Sequence, residues 1–127
     1  MTPFRLQRLD HVSLNVRDRE RSIVWYRDML GLDQRNAPGA DAEPVFMGAF
    51  GACIALFQAA SDPGAREPES AGLRHVALAL EADDFAAARA HLEQNGVAFR
   101  PDEHGFASSM YVPDPDGNVI ELTTYRR

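Results

Sequence analysis

The feature that most limits the fold of this chain is an internal repeat. Leu9-Asp10-His11-Val12-Ser13-Leu14 returns as Leu73-Arg74-His75-Val76-Ala77-Leu78, a shared L-x-H-V-x-L. Gly31 lies 20 residues after His11, and Gly96 lies 21 after His75. Ile54-Ala55-Leu56 is answered by Ile120-Glu121-Leu122, with central residues 44 and 46 positions beyond their histidines. Self-similarity at a fixed offset marks a duplicated structural unit. A length of 127 residues fits one domain of two such units. We place module one at about residues 5–60, a linker at about 61–70 and module two at about 71–127.

Each module reads as strand, helix, then three strands, an α+β arrangement. Residues 9–16 alternate apolar and polar as a half-buried strand does. Residues 22–30 carry Ile23, Tyr26, Met29 and Leu30 at helical spacing, and Gly31 follows as a C-cap. Further strands are expected within 32–36, 45–50 and 53–58. The polar stretch 61–70, with Pro63, Gly64 and Pro68, is a linker. In module two, 73–80 is a strand and 83–95 a helix with an acidic first turn, ending at Gly96. Residues 97–100, 109–112 and 118–124 are strands, and Asp114-Pro115-Asp116-Gly117-Asn118 is a turn.

Side chains alternate across a strand. Val12, Leu14 and Val16 therefore share one face, and His11, Ser13 and Asn15 the other. Likewise Val76, Leu78 and Leu80 oppose His75, and Ile120 and Leu122 oppose Val119, Glu121 and Thr123. The apolar faces can pack under the helices. The opposite faces each carry one metal-capable group and can line a shared cleft if the sheet curls. A carboxylate between Val119, Ile120 and Leu122 must face solvent or find a partner, because burying it unpaired is costly. Two histidines at matching repeat positions favour a metal partner, giving His11, His75 and Glu121 as ligands. Two imidazoles and one carboxylate leave coordination positions open, which suits Fe(II) and also Mn, Ni, Co or Zn. Ala55, the counterpart of Glu121, cannot ligate. His91, late in the second helix, is expected at the surface, and Trp25 and Phe57 are expected to pack.

The rest of the composition narrows the partners. A formal net charge of −6 argues against nucleic acid and anionic membrane. No segment approaches the ~20 apolar residues of a membrane span. The first residues carry no long apolar run, which argues against a secretory signal. One cysteine, Cys53, allows no internal disulfide, so a cytoplasmic location is expected.

Four segments carry a family resemblance over nearly the whole chain: Leu9-Asp10-His11-Val12, Trp25-Tyr26-Arg27-Asp28-Met29-Leu30-Gly31, Leu73-Arg74-His75-Val76, and Asp114-Pro115-Asp116-Gly117-Asn118-Val119-Ile120-Glu121-Leu122. With them the chain resembles the vicinal oxygen chelate superfamily of glyoxalases, extradiol dioxygenases, fosfomycin-resistance transferases and bleomycin-binding proteins. The resemblance implies paired βαβββ modules forming a curved mixed sheet around a metal cleft, with His11, His75 and Glu121 as ligands. It also implies a small-molecule substrate that chelates the metal through neighbouring oxygens, and a homodimer in which modules pair within or between chains. Ala55 stands where glyoxalases usually carry a fourth ligand, which points away from that activity.

A sharper match is His104, five residues, Met110-Tyr111, two residues, Asp114-Pro115-x-Gly117, then Glu121. It is similar to the extradiol dioxygenase signature, which implies His104 and Tyr111 as catalytic groups against a catechol-like substrate and Fe(II) on Glu121. Fosfomycin transferases share the His, His, Glu set but use basic and hydroxyl residues before the tyrosine, where 100–105 here is mixed and acidic. The reading is therefore an Fe(II) ring-cleaving dioxygenase-like enzyme. The alternatives are a lyase, isomerase or thiol transferase using another divalent metal, and a non-catalytic small-molecule binding module.

Overall fold

The computed structural model describes residues 2–36, 44–49, 51–62, 64, 67 and 70–126. The elements run β1 (Val12–Val16), α1 (Arg19–Leu30), β2 (Val45–Ala49), β3 (Ala52–Gln58), β4 (Val76–Ala79), α2 (Ala82–Gln94), β5 (Arg100–His104), β6 (Ala107–Pro113) and β7 (Val119–Tyr125). They form two sheets, one ordered β1-β3-β2 and the other β4-β7-β6-β5. Phe50, and Pro63, Ala65, Arg66, Pro68 and Glu69 of the expected linker, lie outside the described residues. No described helix is long and apolar enough to cross a membrane.

The repeat in the sequence is a repeat in register. In each module the first strand lies parallel to the last, as a helical crossover permits. Val12 and Leu14 pair with Ile54 and Leu56, and Val76 and Leu78 pair with Ile120 and Leu122. These apolar pairs make up much of the core. Leu14, Ile54, Leu56, Val76, Ile120 and Leu122 are all buried. The helices cover that face. In α1, Asp18 accepts from the Arg21 backbone as N-cap, and Gly31 ends the helix at φ 68.

Four expected strands differ. The strand expected within 32–36 is reduced to a single bridge, Gln34 with Met47, so module one returns through two full strands. The polar run Asp33-Gln34-Arg35-Asn36 offers no apolar face to hold a longer ladder. Instead of 97–100, the strand in module two is Arg100–His104. It is the outer strand of its sheet, where charged residues and a proline are tolerated and apolar alternation is not required. The first strands begin at Val12 and Val76, so both histidines stand just ahead of them. At Gly48, φ is 116 and a Cβ would meet the Ala52 carbonyl oxygen at 1.9 Å, so only glycine allows β2 and β3 to approach this closely.

The modules are joined by the turn before β7. The buried Tyr26 hydroxyl of α1 donates to the Asp114 carboxylate at 2.7 Å. Asp114 also accepts from the backbone of Asp116 and Asn118 and from the Asn118 amide, so this buried carboxylate is fully partnered. Burial, and then the Asp114 charge, push the Tyr26 phenol far above its ordinary value and keep it a donor. Asp116 accepts from the Arg17 backbone at 2.9 Å and its guanidinium at 3.2 Å. His91 is exposed, as expected, but its ring also meets the Asp28 carbonyl of α1 at 2.7 Å, tying α2 to α1.

Candidate functional site

Module two gathers its polar residues into rows across one sheet face. Register aligns Ala77 with Glu121, Glu121 with Tyr111, and Tyr111 with Arg100. Residues directly opposite one another share a face. Glu121 is half-buried there, flanked by the buried Ile120 and Leu122 that anchor β7. Hydrogen bonding to the Glu121 carboxylate, then burial, push the Tyr111 phenol above its ordinary value, so Tyr111 stands as a donor. The His75 ring meets Tyr111 edge-on at 5.8 Å, and the Arg100 guanidinium lies 4.4 Å over the same Tyr111 ring. His75, Arg100 and Tyr111 line a groove of about 880 Å³.

Module one presents its histidine differently. His11 Nδ1 lies 2.8 Å from an Asp10 carboxylate oxygen, and its ring meets Phe46 edge-on at 5.6 Å. The bond to His11 comes first among the causes that hold the Asp10 carboxyl below its usual value. A carboxylate on one ring nitrogen fixes the tautomer and leaves the other, Nε2, free to ligate. Ala55 is fully buried between Ser13 and Phe46 in register. Module one therefore offers one metal-capable imidazole, with an alanine rather than a carboxylate at the position that answers Glu121.

Of the five residues singled out in the sequence, His75, Tyr111 and Glu121 come together in module two. His11 stands in the other module with Asp10 and Phe46. Among the described residues, no three His, Cys, Asp or Glu side chains of one chain converge on a point where a metal would sit. His104 is four positions along β5 from Arg100, roughly 13 Å at strand rise. There it pairs with Asp102 at 3.4 Å and stacks on Phe106 at 6.0 Å. It stands apart from Tyr111 and Glu121, because β5 and β6 form a tight hairpin that carries it to the far end. Trp25 is half-buried against Tyr26, while Phe57 lines a second groove beside Asn15 and Arg17.

The donor set nonetheless suits a divalent ion. Imidazole and carboxylate ligate the same first-row metals, and Asp10 supplies one of the outer hydrogen bonds that such ligands carry. Two participants escaped the sequence reading. Asp10 was visible as the neighbour of His11 but indistinguishable from a solvated acid. Arg100 ends the strand expected at 97–100, and nothing in the sequence sets it beside Tyr111.

Comparison with known proteins places this geometry. A glutathione transferase, FosA, from Serratia marcescens is 30% identical over 120 residues, covering 92% of this chain and 80% of its own. A catechol-2,3-dioxygenase from Bacillus subtilis is 28% identical over 117 residues, but the chain spans only 40% of its length. A glyoxylase/bleomycin resistance protein/dioxygenase domain from Frankia superposes with a TM-score of 0.82 at 26% identity, covering 97% of this chain and 95% of that one. The family profile described as Glyoxalase/Bleomycin resistance protein/Dioxygenase superfamily matches residues 8–122. Its members are mostly enzymes that use a divalent metal on small molecules, transferases and dioxygenases among them. With the two modules, their register and the profile in agreement, the chain belongs to the glyoxalase/bleomycin resistance protein/dioxygenase superfamily.

Proposed function

We propose that this protein is a divalent-metal enzyme in which His11, His75 and Glu121 hold the ion and a small molecule docks through two neighbouring oxygens. The observation that carries the reading is Glu121, a half-buried carboxylate on β7 that stands directly opposite Tyr111 in register, on the face where His75 meets the same Tyr111 ring. A divalent ion held there supplies Lewis-acid polarisation of the substrate oxygens. Tyr111, opposite Glu121 in register, offers a donor at the cleft wall. Asp10 holds His11 in the ligating tautomer. Val119 lines the groove, and Phe46 packs edge-on against His11.

The site is assembled between two copies. β1 and β4 are the outer strands of their sheets, so each histidine stands on a free edge. Exposed apolar side chains flank both edges: Leu6 and Leu9 ahead of β1, at 88% and 75% exposure, and Leu73 ahead of β4 at 47%. A second copy that covers them brings His11 of one chain to His75 and Glu121 of the other.

A group-transfer or lyase reaction is favoured over ring cleavage, because the His104 that the dioxygenase signature requires stands apart from Tyr111. Ring cleavage with Fe(II) keeps one specific support, the run from Asp114 to Glu121 that matches that signature. Turnover of a catechol that needs O2 and iron would establish it. Turnover with Mn, Ni, Co or Zn under anaerobic conditions would establish the first.

Elemental analysis of wild type, His11→Ala, Glu121→Ala and an equimolar mixture of the two variants after refolding together tests the whole proposal. Wild type should hold one ion per chain and each variant alone none. The mixture should recover ions, because mixed dimers regain one intact site between chains. No ion in wild type after loading overturns the metal reading. No recovery in the mixture, with wild type loaded, overturns the shared site and returns the ligands to one chain.

A further inference from the structure

We infer that Arg100 is the specificity residue of this cleft and selects substrates that carry a carboxylate or phosphate-like group beside their metal-chelating oxygens. Its guanidinium carbon lies over the Tyr111 ring, 4.4 Å from the centroid. Tyr111 in turn meets His75 edge-on and stands opposite Glu121 in register, so Arg100 shares the row of one proposed ligand and the aromatic contact of another. A cation–π contact uses none of the guanidinium N–H donors in a hydrogen bond, and among the described residues none of them is engaged in one. Those donors form the fork that binds an anion through two parallel hydrogen bonds.

The surroundings leave that fork unspent. Among the described residues, Arg100 forms no ion pair. Every other arginine on the walls of this groove is engaged: Arg17 with Asp62 and Asp116, and Arg74 with a partner of its own. The acid nearest along β5 on this face, Asp102, is itself paired with His104 at 3.4 Å. A cation that has no acid partner among the described residues, in the cleft of a protein of net charge −6, runs against the overall charge balance. Recognition of an anion accounts for it. Tyr111 and the aliphatic stem of Arg100 fix the guanidinium plane in advance, which lowers the ordering cost of binding.

The inference names the substrate class for the metal site proposed above, and the experiment separates the two. Calorimetric titrations use inorganic phosphate, glycolate and ethylene glycol against wild type, Arg100→Met and Arg100→Lys. Each protein is titrated both metal-free and loaded with Mn2+, after its melting temperature confirms folding. Glycolate and ethylene glycol both offer neighbouring oxygens, but only glycolate carries a charge. We expect Arg100→Met to weaken phosphate and glycolate by about tenfold or more. Arg100→Lys should recover part of the loss. Ethylene glycol should stay weak throughout, and Mn2+ affinity should stay within about twofold of wild type. Equal anion affinity in wild type and Arg100→Met, or no anion binding by wild type, overturns the inference whatever the metal does. Failure of Mn2+ to bind overturns the metal site instead, and the metal-free titrations then decide the role of Arg100.

Discussion

The two modules share a register and a first-strand histidine, yet they are equipped differently. Module two surrounds His75 with Tyr111, Glu121 and Arg100, all in adjacent strands. Module one surrounds His11 with Asp10, Phe46 and the buried Ala55. The duplicated scaffold thus keeps the core pairs Val12 with Ile54 and Val76 with Ile120, while the cleft faces have diverged. Under the proposed function, one module would contribute a single supported ligand, and the other the remaining ligands and the substrate wall. Core positions are held by packing, whereas cleft positions are free to specialise.

The sharpest test of that division exchanges the paired positions. Glu121→Ala should abolish metal uptake at micromolar metal, because a half-buried ligand is lost. Ala55→Glu should not create a second site. It places a carboxylate where the native side chain is fully buried. It should therefore destabilise the fold by about 2–5 kcal/mol in chemical denaturation, with no rescue by metal. Rescue of Ala55→Glu by a stoichiometric ion would mean that the module faces remain interchangeable.

The modules also depend on each other through Asp114, and this dependence sets the next largest effect. Asp114→Ala removes the acceptor of four hydrogen bonds and leaves the buried Tyr26 hydroxyl without a partner. We expect a loss of about 3 kcal/mol, and about 1 kcal/mol for Tyr26→Phe, which leaves Asp114 with three donors. Denaturation of both variants should remain a single transition. Two separate transitions would show that the modules fold independently.

This latch also marks what the sequence reveals and what it hides. The repeat and its alternation make both sheets legible, because buried pairs such as Leu14 with Leu56 need apolar residues at fixed spacing. Strand β5 is not legible, since an outer strand of charged residues has no such pattern. The Asp114-to-Asn118 segment reads correctly as a turn. Its second role, receiving Tyr26 from a helix 88 residues away, depends on tertiary contact that spacing does not encode. His11, His75 and Glu121 stand out as chemical groups, but only the folded chain separates His11 from the other two and His104 from Tyr111.

Asp10 offers a smaller test, confined to module one. Asp10→Asn should lower metal affinity by about 10–100-fold through loss of the support on His11 Nδ1. Stability should hardly change, since both side chains are exposed. Module two has Arg74 ahead of its histidine, so Arg74→Ala should leave metal affinity nearly as it was. Equal effects of the two substitutions in competition titrations with a chelator would make the support symmetric and erase this difference.

The smallest expected effect is the acid response. Asp10, Asp28 and Asp62, in module one and the linker, are held below their usual carboxyl values by His11, Arg27 and Arg17 respectively. In module two, Ser108 and then Arg126 do the same for Glu103. A carboxyl with a lowered folded-state pKa stabilises the fold above its unfolded value, and that contribution disappears as pH falls through the lowered value. Melting temperature should therefore be flat near neutrality and begin to fall below about pH 4. All four groups are exposed and screened, so the decline should be shallow and should shrink further in high salt. Asp62→Asn should flatten it more than Glu103→Gln, because the Arg17 guanidinium that Asp62 meets at 2.8 Å also reaches Asp116 and so ties the linker to the turn before β7. Equal flattening by the two variants would mean that acid acts on both modules alike.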